Sequence, residues 1–350
     1  MNTFRLPLLF LATFALALVC ACTPLRASAQ YNLPGAENAI IIDTSALHPA
    51  PGEAVHLTAK SSLVDLSVST LSWRSGGKVI AQGVGVVSAD IVVGALGVPT
   101  TVTVSVSATR LEASAEATII PTELDLLVDS DSYVPPLYRG RALPSAGTGA
   151  LFQAIPRFKR PGGAFVPASD LIYTWRKNGE VESEISGRGR SSVRIPLMHL
   201  FGTDTISVEA KSADGTLSGE ATTRLSAQEP RLVLYEDHPL FGTLFNNALG
   251  ASTFVPESEM TFSAIPYFAQ ATALADPSLI YEWRVSGLSV PAEKETPNEI
   301  TINASNSTGI ALVELAVSHA TNFYMDLKNS WNITFSSEGG ALDQFHTPTQ

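Results

Sequence analysis

The chain repeats itself, and that repetition limits it to a tandem array of small domains. Leu171-Ile172-Tyr173-Thr174-Trp175-Arg176 recurs as Leu279-Ile280-Tyr281-Glu282-Trp283-Arg284, at a shift of 108. Phe152-Gln153-Ala154-Ile155-Pro156-Arg157-Phe158 recurs as Phe262-Ser263-Ala264-Ile265-Pro266-Tyr267-Phe268, at a shift of 110. Leu71-Ser72-Trp73-Arg74 is an earlier copy of the first motif, with a shift of 102 between Trp73 and Trp175. Ser114-Ala115-Glu116-Ala117-Thr118 matches Ser218-Gly219-Glu220-Ala221-Thr222 at a shift of 104. Three copies, each of about a hundred residues, follow one another. The divisions read as 30–122, 123–227 and 228–337, with a polar tail at 338–350.

Each copy carries strand signals in one order. Thr101 to Ser107 alternates strictly, which predicts a strand burying Val102, Val104 and Val106 on one face. Ile206, Val208 and Ala210 do the same in the second copy, and Val313, Leu315 and Val317 in the third. The tryptophan precedes this strand by a near-constant interval: Trp73 to Val104 is 31, Trp175 to Ile206 is 31, and Trp283 to Leu315 is 32. Ser75-Gly76-Gly77, Asn178-Gly179 and Ser286-Gly287 follow the tryptophans and predict hairpin turns. Nothing of helical period is sustained; Met198-His199-Leu200-Phe201 is at most one turn.

A tryptophan just before a glycine-containing hairpin, as in Tyr173-Thr174-Trp175-Arg176-Lys177-Asn178-Gly179, resembles the third strand of immunoglobulin-like domains. The alternating strand farther on resembles the sixth strand, and Ser-x-Glu-Ala-Thr the seventh. The intersheet cysteine pair of antibody domains is missing, and in this the chain is similar to bacterial surface immunoglobulin-like and PKD-like repeats. The resemblance implies an all-β fold of three tandem immunoglobulin-like sandwiches, with Trp73, Trp175 and Trp283 as structural core residues between the sheets. It implies no activity, since sandwiches host many functions. Trp331 lies outside the repeat position; it is either an exposed platform or part of a last-strand core.

The amino end reads as an export signal at 1–29. Arg5 is followed by an apolar stretch from Leu6 to Cys22 and a small-x-small site, Ala27-Ser28-Ala29. Two alternatives remain: a lipoprotein processed at Cys22, because Val19-Cys20-Ala21-Cys22 is similar to a lipobox, and a retained anchor. Both cysteines lie in this segment, so a chain cleaved after Ala29 has neither disulfide nor thiol and each domain stands on its apolar core. No later apolar run reaches the ~18 residues of a membrane helix. Removing Arg5 and Arg26 leaves 20 basic and 33 acidic residues, an acidic balance that repels nucleic acid and anionic lipid.

Candidate sites are few. Asp129 and Asp131 of Asp129-Ser130-Asp131 are the candidate metal ligands, for calcium at a domain junction, with Asp125 nearby. Glu229, Glu236 and Asp237, beside His238, form a second acidic group, and a solvated linker is the preferred reading of both sets. The second copy is richest in base, with 12 basic and 12 acidic residues, against 4 and 7 in the first and 4 and 14 from 228 to the end. Its Arg157, Lys159, Arg160, Arg188, Arg190 and Arg194 suit a polyanion or an acidic domain, or simply balance the surface. Glycosylation triplets begin at Asn303, Asn306 and Asn332 and read as chance. No nucleophile elbow, His-Glu-x-x-His or phosphate loop is present, so no catalytic and no cofactor-binding residue is assigned.

The sequence therefore reads as a noncatalytic secreted or cell-surface array, an adhesive, spacer or envelope assembly component with a protein or glycan partner. An accessory carbohydrate-binding protein of a secreted system is the alternative. Amino-terminal sequencing of the exported chain is expected to begin at Gln30; a lipid-modified Cys22 would overturn that reading.

Overall fold

The computed structural model describes residues 40–108, 111–136, 138–197, 202–255, 259–303 and 308–335. The export segment with Cys20 and Cys22, the turn at 198–201, Asn306 of the second glycosylation triplet and the tail lie outside the described residues. Two compact units are present. One holds the described residues up to Asp43 with Leu57–Ala89 and Val102–Ala117; the other holds Thr44–His56, Asp90–Thr101 and the described residues from Thr118 on.

The first copy forms β1 (Ile41–Thr44), β2 (Ala54–Lys60), β3 (Thr70–Ser75), β4 (Lys78–Val84), β5 (Ser88–Val92), β6 (Thr100–Ala108) and β7 (Leu111–Ile119). They make two sheets, ordered β1-β2-β5 and β4-β3-β6-β7. The second copy forms β8 (Glu123–Ser130), β9 (Gly149–Arg157), β10 (Ile172–Lys177), β11 (Glu180–Val181), β12 (Gly187–Arg188), β13 (Ser192–Pro196), β14 (Thr203–Lys211) and β15 (Ser218–Ser226). Its sheets run β13-β9-β8 and β11-β10-β14-β15, with β12 also on β10. The third forms β16 (Arg231–His238), β17 (Gly242–Ala248), β18 (Ser252–Val255), β19 (Glu259–Tyr267), β20 (Leu279–Val285), β21 (Leu288–Val290), β22 (Glu299–Asn303), β23 (Gly309–His319) and β24 (Asp326–Phe335). Its sheets run β17-β16-β19-β22 and β18-β24-β23-β20-β21. The same core order of two sheets recurs three times, with β17 and β18 added at sheet edges in the third, so the chain is an all-β array of tandem immunoglobulin-like sandwiches. No helix among the described residues is long and apolar enough to cross a membrane.

The hairpins after the tryptophan strands follow from backbone chemistry. Gly76 and Gly77, Asn178 and Gly179, and Ser286 and Gly287 all adopt positive φ, the pair of left-handed residues a two-residue turn needs to match strand twist. Asn178 suits that conformation and holds it: Thr205 N–H donates to its Oδ1 at 2.8 Å, and its Nδ2 donates to Asp204 Oδ1 at 2.8 Å.

Trp73, Trp175 and Trp283 are all at most 1% exposed. Each indole N–H donates to a backbone carbonyl just before the strand that completes the opposite sheet: Trp73 to Val86 O at 2.8 Å, Trp175 to Arg190 O at 2.8 Å and Trp283 to Pro297 O at 3.0 Å. One side chain thus fills the gap between the sheets and ties them by a bond that burial would otherwise leave unmade. Across its own sheet Trp73 faces Val104 and Trp283 faces Leu315. Trp175 faces Val208, with Ile206 opposite Lys177, so in the second copy the partner lies farther along the same buried face than the interval to Ile206 suggests. Trp331 is 3% exposed and faces Val313, inside the third core.

Replacing Trp175 by alanine is expected to cost about 3–5 kcal/mol and unfold the second sandwich. Phenylalanine is expected to cost less, about 1–3 kcal/mol, because it fills the space but leaves Arg190 O without its donor. Denaturant titration of both variants checks this; an unchanged midpoint for the alanine variant would contradict the packing.

Candidate functional site

The second and third sandwiches are joined by more than their linker. Between β8 and β9 the chain makes a long excursion, 131–148, in which Pro135, Pro136, Gly140, Pro144 and Gly147 prevent strand formation. This arm lies on the third sandwich. Tyr133 N–H donates to Ala269 O at 2.7 Å, Phe268 N–H donates to Tyr133 O at 2.7 Å, and Ser132 bridges Gln270. The arm therefore pairs with the chain just beyond β19.

Aromatic packing seals the pairing. Tyr133, Val134, Tyr138 and Leu143 of the arm cover Tyr235, Ile265, Tyr267 and Phe268 on the outer face of the third sandwich. Tyr138 meets Tyr267 and Phe268 edge-on at 5.9 and 6.0 Å. The Tyr235 and Tyr267 hydroxyls share a hydrogen bond at 2.8 Å, and burial, then that bond, pushes the Tyr267 phenol far above its ordinary range.

A buried asparagine from the third sandwich keys the return of the arm. Asn322 lies in the connection between β23 and β24, 7% exposed. Its Nδ2 donates to Ala146 O and to Gln270 Oε1, each at 2.9 Å, while its Oδ1 accepts from Tyr324 N–H at 3.0 Å. Gly147 sits at φ +78°, and a Cβ there would collide with the Asn322 side-chain amide, so glycine is required twice over. Asn322 and Thr321 N–H both donate to His319 Nδ1, at 2.9 and 3.1 Å. Burial holds the His319 imidazole below its ordinary range, and Asp276 opposes that shift.

Beside this joint opens a cleft of about 530 Å³, lined by Ala146, Gln228, Glu229, Tyr324, Asp326 and Leu327. Gln228 N–H donates to Pro144 O at 2.7 Å, fixing the linker to the arm. Tyr324 is 44% exposed and its neighbour Phe323 is 94% exposed, the rings edge-on at 6.2 Å. Near the wall at Ala146, the Ser145 hydroxyl is buried without a hydrogen-bond partner among the described residues. Two carboxylates, an amide and an open aromatic ring equip such a cleft to hold a ligand.

The acidic residues singled out from the sequence do not converge. Asp131 is ion-paired with Arg194, and Asp129, exposed on β8, accepts from Ser130 N–H at 3.0 Å. Asp125 pairs with Arg157 at 2.9 Å. Glu229 lines the cleft, but Glu236, Asp237 and His238 stand at the far end of β16, at most roughly 23–30 Å from Glu229 at strand rise. Asp237 accepts from Thr243 Oγ1 at 3.1 Å, and His238 stacks on Phe241 at 4.7 Å. Among the described residues no three His, Cys, Asp or Glu side chains are placed to hold a metal ion.

Four of the six basic residues singled out in the second copy are ion-paired, and Lys159 lies over the Phe165 ring at 6.0 Å. Arg157 meets Glu123 and Asp125, Arg160 meets Asp214 at 2.7 Å, Arg188 meets Asp170 at 2.8 Å, and Arg194 meets Asp131. The Asp214 carboxyl is held well below the usual carboxylate range, first by the Ser212 hydroxyl and then by Arg160. These contacts balance charge locally instead of presenting one cationic face.

No sequence motif marks Tyr133, Tyr138, Asn322 or Tyr324. The available signal is a misfit of the repeat: the connection from β8 to β9 spans 131–148, twice the length of the 45–53 connection from β1 to β2.

No family model and no curated protein matches the sequence. Among solved structures the chain is similar to three N-terminal domains of the highly immunogenic outer capsid protein of bacteriophage RB49, at 15% identity. That match covers 85% of this chain and 98% of that one, with a TM-score of 0.25. It is also similar to fibronectin(III)-like modules of CbhA from Clostridium thermocellum, at 12% identity, over 54% and 94% of the two chains, with a TM-score of 0.26. A third likeness is to SGBP-B of Bacteroides ovatus, solved with a mixed-linkage heptasaccharide, at 11% identity, over 85% and 70%, with a TM-score of 0.20.

With Asp131 engaged by Arg194 and Asp129 facing solvent, chelation is expected to change neither melting temperature nor small-angle scattering of the exported chain. A clear contraction on adding millimolar calcium would contradict this.

Proposed function

We propose that this chain is a noncatalytic extracytoplasmic array of three immunoglobulin-like domains, at 30–122, 123–227 and 228–337, acting as an adhesive, spacer or cell-envelope assembly component. The observation that carries the reading is the joint. A flexible linker would let neighbouring sandwiches swing independently, as small polar interfaces usually do. Here a two-way backbone pairing, an aromatic seal and the buried Asn322 key hold the second and third sandwiches in one orientation. Such stiffness suits a piece that transmits position or load. Export, for which the amino-terminal segment argues, belongs to the same reading.

A second reading, an accessory carbohydrate-binding protein, is favoured by the exposed Phe323 and Tyr324 pair at the cleft.

The spacer reading is tested by distance measurement. A chain cleaved after Ala29 has no cysteine, so Val181→Cys and Leu288→Cys, both at exposed positions, place spin labels on the two sandwiches. A narrow distance distribution is expected, broadening when Asn322→Ala removes the key. A broad distribution in the presence of Asn322 would sink the reading.

A further inference from the structure

We propose that the cleft beside the joint, continued along the outer face of β24, binds a linear neutral glycan; this rests on the second reading above. The cleft does not end at Asp326. Lys328, the next residue on the same face of β24, is ion-paired with Asp326 at 2.9 Å and lines an adjoining depression of about 440 Å³ with Glu282, Arg284, Glu314 and Ser330. Two hollows that take successive residues of one strand, Asp326 and Leu327 and then Lys328 to Ser330, suit an extended polymer rather than a compact metabolite.

Tyr324 lines the cleft and is the platform; Phe323 stands beside it, outside the lining, its ring at 73° to that of Tyr324. Phe323 and Tyr324 are open to solvent, and an exposed apolar ring is most useful where it covers something equally flat and apolar, as the face of a pyranose is. The platform is held in place before any ligand arrives: Asn322 Oδ1 fixes the Tyr324 backbone, and Asn322 is itself locked into the arm. The polar lining suits the rest of a sugar. Gln228 and Lys328 donate and Glu229, Asp326 and Ser330 accept, a mixture that matches the paired donor and acceptor character of hydroxyl groups.

Charge selects the class of glycan. From 228 to its end the chain has 4 basic and 14 acidic residues, so sulfated or uronic polymers are repelled. A basic peptide is the competing occupant, since carboxylates and a tyrosine ring also take an ammonium or guanidinium group. The pairing of Asp326 with Lys328 already neutralises one of the two carboxylates in the cleft, and so favours the neutral ligand.

Calorimetric titration of the full exported chain tests the site, using a length series of linear neutral oligosaccharides and, separately, oligolysine. Binding to an oligosaccharide is expected, tightening with length until both hollows are filled. Tyr324→Ala and Asp326→Ala are each expected to weaken it about tenfold, the effect of one stacked ring or one hydrogen-bonded carboxylate, with the thermal melt unchanged. Undiminished binding in both variants would overturn the site while leaving the carbohydrate reading intact. Failure of every oligosaccharide to bind, or tighter binding of oligolysine, would overturn both; the spin-label distances would remain a separate test of the spacer reading.

Discussion

Everything in this array depends on one indole ring per domain making two kinds of contact at once. The ring fills the gap between the sheets, and its N–H closes on a carbonyl of the chain entering the opposite sheet. A phenylalanine would satisfy the first demand and a polar side chain the second, but neither satisfies both. In the absence of disulfides, this coupling of volume to a directed bond sets how the sheets meet. The facing strand answers with small branched residues, Val104, Val208 and Leu315, which leave room for the ring.

On that common frame the copies diverge where the core does not reach. The motif Phe152 to Phe158 and its repeat Phe262 to Phe268 occupy equivalent strands, yet their last phenylalanines have different fates. Phe158 is wholly buried in the second core, whereas Phe268, with φ at +60°, turns out to meet Tyr138 of the arm. One side chain, carried over by the repeat, has changed from a core residue of a single domain to a contact between two. The same shift in use explains why the third sandwich buries part of its outer face, which in an isolated sandwich faces water.

The fold was legible because its determinants are local and periodic. Alternation in Thr101 to Ser107, a glycine-containing turn after each tryptophan strand and the constant spacing between them need no partner to be recognised. Even so, Trp175 lies opposite Val208, since a spacing rule identifies a face and not a register. The cleft was opaque for the opposite reason. Asn322 and Ala146 are 176 positions apart, and neither has a neighbour in sequence that marks it. Asp129 and Asp131 looked like a pair because they alternate, but pairing depends on what faces them, and Arg194 faces only one.

The key between Gly147 and Asn322 also dictates an order of events. A chain that emerges amino end first completes the strands of the second sandwich long before residue 322 exists to receive the arm. Until Tyr235, Ile265, Tyr267 and Phe268 have followed, Tyr133, Tyr138 and Leu143 have nothing to cover, and the arm is an uncovered apolar strap on an otherwise finished domain. The Asn322 contact joins residues 176 positions apart and needs the third sandwich in place, so it forms after the second sandwich is complete. Until then a neighbouring chain's third sandwich offers the same receptor, and exchange of arms between molecules is the characteristic error this architecture must outrun.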